Sequence, residues 1–87
     1  MTQKIVTVTN KLGLHARPSA LLVRAATKYR SEFFIEKDGM KINGKSIIGV
    51  MMLAAECGST LELCAEGVDE VYLINEISDL IQSGFGE

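Results

Sequence analysis

The chain of 87 residues has no tryptophan, one proline, one histidine and two cysteines, and it has no Lys or Arg beyond residue 45. Each shortage excludes something. Cys57 and Cys64 stand seven positions apart, which is neither a redox C-x-x-C pair nor a zinc spacing, and one histidine cannot complete a metal site. They read as small, reduced filler, and neither a metal nor a cofactor is expected. No apolar run approaches the roughly 20 residues of a membrane span, so membrane insertion is not expected. Met1–Thr9 lacks the long apolar stretch of a secretory signal, which makes cytoplasmic residence the expectation. No stretch interleaves aromatic and basic residues, and the net charge is −2; both argue against a nucleic-acid partner. Repeats, low-complexity tracts and linkers are missing too. A chain of this length has room for one core, so residues 1–87 are read as a single domain.

At 47% hydrophobic and 23% charged, the composition is that of an ordinary globular domain. Its charge is unevenly spread. Residues 1–45 carry all nine cations and three acids, a balance of +6, whereas residues 46–87 carry the other eight acids, a balance of −8. Such asymmetry suits a face for an acidic partner or an anion, unless the two halves interleave in space.

The single histidine and single proline fall together in Gly13-Leu14-His15-Ala16-Arg17-Pro18. Proline fixes φ near a helical value and lacks only an N–H that a first-turn residue does not need, so a helix starts here. His15 then precedes the first turn, where unpaired N–H groups and the positive end of the helix dipole converge. Arg17 adds a planar, forked donor set suited to phosphate oxygens. A nucleophilic imidazole beside such an anion site can accept and hold a phosphoryl group. The plainer alternative is a surface or cap histidine.

The rest of the chain alternates between two periods. Gln3–Val8 contains the β-branched run Ile5-Val6-Thr7-Val8, typical of a strand, and Asn10–Gly13 is turn-like. From Ala16 onward Leu21, Leu22, Ala25, Ala26 and Tyr29 form one helical stripe. Glu32–Lys37 alternates, Asp38-Gly39 is a two-residue hairpin turn, and Met40–Asn43 returns. Ser46 is a good N-cap for a short helix reaching about Ala55 and stopped near Gly58. Thr60–Glu66 alternates with Leu61, Leu63 and Ala65 inward. Leu73, Ile74, Ile77, Leu80 and Ile81 give a last helical stripe, closed by Gly84. The order is βαββαβα. The fold expected is α+β: an open-faced sandwich with a four-stranded antiparallel sheet covered on one face by three helices.

Three segments resemble the HPr family, the histidine-containing phosphocarriers of the bacterial phosphoenolpyruvate-dependent phosphotransferase system. Asn10-Lys11-Leu12-Gly13-Leu14-His15-Ala16-Arg17-Pro18 is similar to its active-site signature. Lys45-Ser46-Ile47-Ile48-Gly49-Val50-Met51 is similar to its regulatory serine segment, and Gly84-Phe85-Gly86-Glu87 to its usual ending. The resemblance implies that Enzyme I, charged by phosphoenolpyruvate, phosphorylates His15 on Nδ1, and that the group passes on to a IIA-type domain. The carrier would turn over without catalysing independently, as a monomer. Ala16 and Arg17 would hold the phosphate. Ser46 would be the site for an ATP-dependent HPr kinase/phosphorylase, and its phosphorylated form could engage a transcriptional regulator.

Ser46 also has a plain role as an N-cap, and both roles are compatible, because a phosphate at a helix N-terminus interacts well with the dipole. Ile47, Ile48 and Met51 form an apolar stripe for which core packing is the default; the resemblance implies that part of it docks partners. Arg24 and Lys28 follow Arg17 on nearly the same helical face, either guiding an acidic partner or simply solvated. Met52, Ala54, Ala55 and Glu56 depart from the Ser, Gly and basic residues of Gram-positive members. That stretch looks closer to proteobacterial members and to the nitrogen-related branch, NPr. A nitrogen-branch regulator and a binding protein that depends on Ser46 phosphorylation are therefore the alternatives to a sugar-pathway carrier.

Overall fold

Alternation of β-branched and polar residues in the strands, and the 3.6-residue stripes between them, produce a sheet with one covered face in the computed structural model, which describes residues 1–87. The elements are β1 (Thr2–Thr7), α1 (Ala16–Thr27), β2 (Glu32–Lys37), β3 (Met40–Asn43), α2 (Ile47–Met52), β4 (Thr60–Glu66) and α3 (Glu70–Gln82), followed by a 3-10 turn at Gly84–Gly86. The sheet order is β1-β4-β2-β3, with every neighbouring pair antiparallel. The expected architecture is present.

Inward residues of the sheet (Val6, Phe33, Ile35, Leu61, Leu63, Ala65) form one cluster with Leu22 and Ala26 of α1, Val50 of α2 and Leu73, Ile74, Ile77 and Ile81 of α3. Leu21, Tyr29, Ile42 and Leu80 close its rim, only partly buried. On the uncovered face Phe34 opposes Cys64, with Glu32 opposite Glu66 and Glu36 opposite Glu62. These are like-charged cross-strand pairs, an arrangement that normally destabilises a ladder.

Boundaries differ from expectation at three places. β1 ends at Thr7, although Val8 still bonds Ser59 and Gly58 through its backbone. α1 ends at Thr27, and Tyr29 keeps only a turn-type bond to Ala26. α2 stops at Met52 instead of running to Ala55. There Ala54 adopts a left-handed φ of 49°, which ends the helix and frees the Ala55 carbonyl to accept from Leu14 N–H. The hairpin at Asp38-Gly39 has φ of 51° and 83°, the double positive φ of a type I′ turn. The cysteines are free; Cys64 is half-buried on the uncovered face, but Cys57 is exposed and so is not filler.

Candidate functional site

The loop ahead of α1 is held rigidly before it delivers His15. Asn10 is 5% exposed and its Nδ2 donates to Gly13 O at 2.7 Å, while Gly13 N–H donates back to Asn10 O. Leu14 is buried, its N–H bonds Ala55 O at 2.8 Å, and Ser19 Oγ donates to Leu14 O at 3.0 Å. Gly13 has φ of 68°, and a Cβ there would lie 2.3 Å from Ala55 O. Only glycine satisfies both the left-handed backbone and the close approach.

His15 is the N-cap residue of α1, extended at φ −75° and ψ −172°, and its side chain does not cap the helix. The imidazole is 36% exposed. Ala16 and Arg17 are exposed, and no group of the protein accepts from their N–H groups. These are the orphan donors of a helix start, and they point where an anion is favoured. Pro18 is buried in the same turn, where its missing N–H costs nothing. Arg17 enters none of the ion pairs.

One contact was not visible in the sequence. His15 Nε2 lies 2.9 Å from Glu87 Oε2, and Glu87 Oε1 accepts from Asn10 Nδ2 at 3.1 Å. The Glu87 carboxyl is held below the ordinary range, first by the Asn10 hydrogen bond and then by His15 and the nearby Arg17 charge. Phe85, buried and with φ of 58°, sits between Gly84 at 70° and Gly86 at 74°. This left-handed run turns Glu87 back onto the loop. Gly84 signalled the end of the last helix but not where the chain goes next.

The remaining candidates lie around this centre. Ser46 is the N-cap of α2, half-buried, and its Oγ accepts from Gly49 N–H at 3.0 Å. Ile47, Ile48 and Met51 are 45%, 74% and 43% exposed, so that stripe faces solvent and the helix contributes mainly Val50 to the core. Arg24 is exposed and unpaired, whereas Lys28 Nζ meets Glu76 at 2.6 Å. Part of the charge partition is thus spent on contacts between the two halves. No group of three or more His, Cys, Asp or Glu side chains is placed to hold a metal, and no helix is long and apolar enough to cross a membrane.

Comparison with known proteins shows the family. A family model described as "PTS HPr component phosphorylation site" matches residues 2–83. The phosphocarrier protein HPr of Treponema pallidum is 48% identical over 87 residues, covering 100% of this chain and 99% of that protein. The HPr-like protein Crh of Halalkalibacterium halodurans is 56% identical over 70 residues, 80% of this chain and 83% of that one. The crystal structure of HPr-C-His from Thermoanaerobacter tengcongensis superposes with a TM-score of 0.97 at 47% identity, covering 100% of this chain and 98% of that chain. Sequence and fold agree, and the chain belongs to the HPr family, the phosphocarriers of the phosphotransferase system.

Proposed function

We propose that His15 accepts a phosphoryl group on Nδ1 from phosphorylated Enzyme I and passes it to a IIA-type domain. The observation that carries this reading is the half-exposed imidazole at the start of α1, beside two unpaired amides and an unpaired guanidinium. With Nε2 engaged by Glu87, Nδ1 is the nitrogen left open. Phosphoryl transfer needs in-line positioning and charge stabilisation more than covalent help. The Ala16 and Arg17 amides and the Arg17 side chain supply that stabilisation to the equatorial oxygens. The clamp must stay modest, because each 1.4 kcal/mol of added stabilisation shifts the equilibrium about tenfold toward retention.

The chain then acts as a carrier in the cytoplasm, a monomer with no catalysis of its own. Ile47, Ile48 and Met51 are the apolar part of the docking face, and Arg24 its cationic extension along α1; Lys28 contributes less because Glu76 already pairs with it. Ser46 is a regulatory position for an HPr kinase/phosphorylase. Its phosphate would bring roughly two negative charges beside that face and slow exchange with an acidic partner. In a second role, phosphorylated Ser46 would engage a transcriptional regulator.

Incubation with Enzyme I, Mg²⁺ and phosphoenolpyruvate should add one acid-labile phosphoryl group, absent in His15→Ala. Arg17→Ala should fold with an unchanged urea midpoint and transfer about tenfold more slowly. Absence of the labile group from the native chain would refute the carrier reading, and an unchanged rate in Arg17→Ala would remove the guanidinium from it. Incubation with HPr kinase and ATP should give an acid-stable product at Ser46.

A further inference from the structure

We infer that Glu87, held in place by Asn10, is a positioning residue for the reacting imidazole: it fixes the neutral ring as the Nε2–H tautomer and thereby aims the Nδ1 lone pair at the incoming phosphorus. This inference rests on the carrier reading for its kinetic consequence, but its structural part stands on the unphosphorylated protein alone.

The two carboxylate oxygens have separate partners. Oε1 accepts from Asn10 Nδ2, and Oε2 lies 2.9 Å from His15 Nε2. A carboxylate only accepts, so the neutral ring must donate from Nε2, and the lone pair then resides on Nδ1. The carboxylate is itself immobilised. Its side chain is 19% exposed, the backbone beneath it is fixed by the buried Phe85, and Asn10 is anchored by the Gly13 bond. Both protons of the Asn10 amide are thus engaged, one by Gly13 O and one by Glu87 Oε1. Thr9 adds a further tie between this loop and the end of α3 through Ile81 O at 3.2 Å.

The charge balance of the reaction gives the contact its value. The Nδ1 lone pair forms the N–P bond as the bond from phosphorus to the Enzyme I donor breaks, and that electron pair leaves with the donor. Nε2 keeps its proton throughout, so the product ring is formally cationic. The Glu87 carboxylate lies against the N–H of that ring, as an orienting carboxylate does in a hydrolase triad. The phosphoryl oxygens meet the amides and Arg17 on the other side. The ring is thus held between an anion at Nε2 and a cationic field at Nδ1.

The test uses the full chain with ¹⁵N-labelled histidine. Long-range ¹H–¹⁵N spectra at about pH 8, where an ordinary imidazole is neutral, report which ring nitrogen carries the proton. The native protein should show a single Nε2–H tautomer. Glu87→Ala should give a mixture, with an unchanged urea midpoint and phosphoryl acceptance from Enzyme I about tenfold slower. Glu87→Gln retains an oxygen acceptor and should restore the tautomer while recovering only part of the rate, since the anion is gone. A Glu87→Ala protein with the native tautomer, or one with native transfer kinetics, would overturn the assignment. Failure of the native chain to accept phosphate would instead refute the carrier reading and leave the tautomer measurement intact.

Discussion

A Cβ on Gly13 would meet Ala55 O at 2.3 Å and Glu56 Cα at 2.9 Å, both backbone atoms that cannot move aside cheaply. The residue also has a φ of 68°, so Gly13→Ala combines left-handed strain with a clash. We expect a loss of about 2–4 kcal/mol, read as a lowered urea midpoint. Phosphoryl acceptance should fall as well, because Leu14 N–H and the His15 ring are delivered by the same turn. The placement of His15, Arg17 and Pro18 at a helix start was legible in the sequence because the signal is local: an imidazole, a cation and a proline within four positions. Glu87 was not. Its contact depends on consecutive left-handed residues at Gly84–Gly86 and on a partner 72 positions away, neither of which periodicity can report.

At the level of the element, α2 shows how a six-residue helix survives. So short a helix does not form alone; its single fully buried residue, Val50, and the Ser46 cap hold it. Ser46→Ala should cost about 1 kcal/mol, measured by urea unfolding, while Ser46→Asp should keep the cap and lower the rate of acceptance from Enzyme I. A Ser46→Ala protein with unchanged stability would show that Gly49 N–H does not need its acceptor. The start of α2 was readable from Lys45-Ser46, since capping is a one-residue signal. Its end was not, because Ala54 takes a conformation that alanine seldom adopts, imposed by the need of Leu14 N–H for the Ala55 carbonyl.

Across the whole molecule, the strands and helices followed from the two periods, and the antiparallel order from the alternating faces. What sequence could not give was how the charges meet. Asp69 ties α3 to the start of β2, accepting from the Ser31 hydroxyl and from the Arg30 and Ser31 N–H groups. The Ser31 hydroxyl first, then the Arg30 amide, hold its carboxyl at about 2. Glu70 is also lowered to about 2, chiefly by the Thr2 hydroxyl and the Gly67 amide. A depressed folded pKa stabilises fully above the ordinary carboxylate range and is lost as pH falls through it toward the folded value. The thermal midpoint should therefore be flat with respect to these two groups above about pH 5 and decline between about pH 4 and 2. Asp69→Asn should lower the midpoint at neutral pH and flatten that decline; a slope identical to the native one would exclude Asp69 as its source. The bare side of the sheet carries its own consequence. Glu32 beside Glu66 and Glu36 beside Glu62 cost the ladder something, yet they leave two rows of anions where an unclad pleated surface would otherwise invite a neighbour to stack. Mutual repulsion between two such surfaces, screened over about 10 Å at 0.1 M salt, disfavours face-to-face stacking of copies on that side, tempered by Lys41 opposite Glu36.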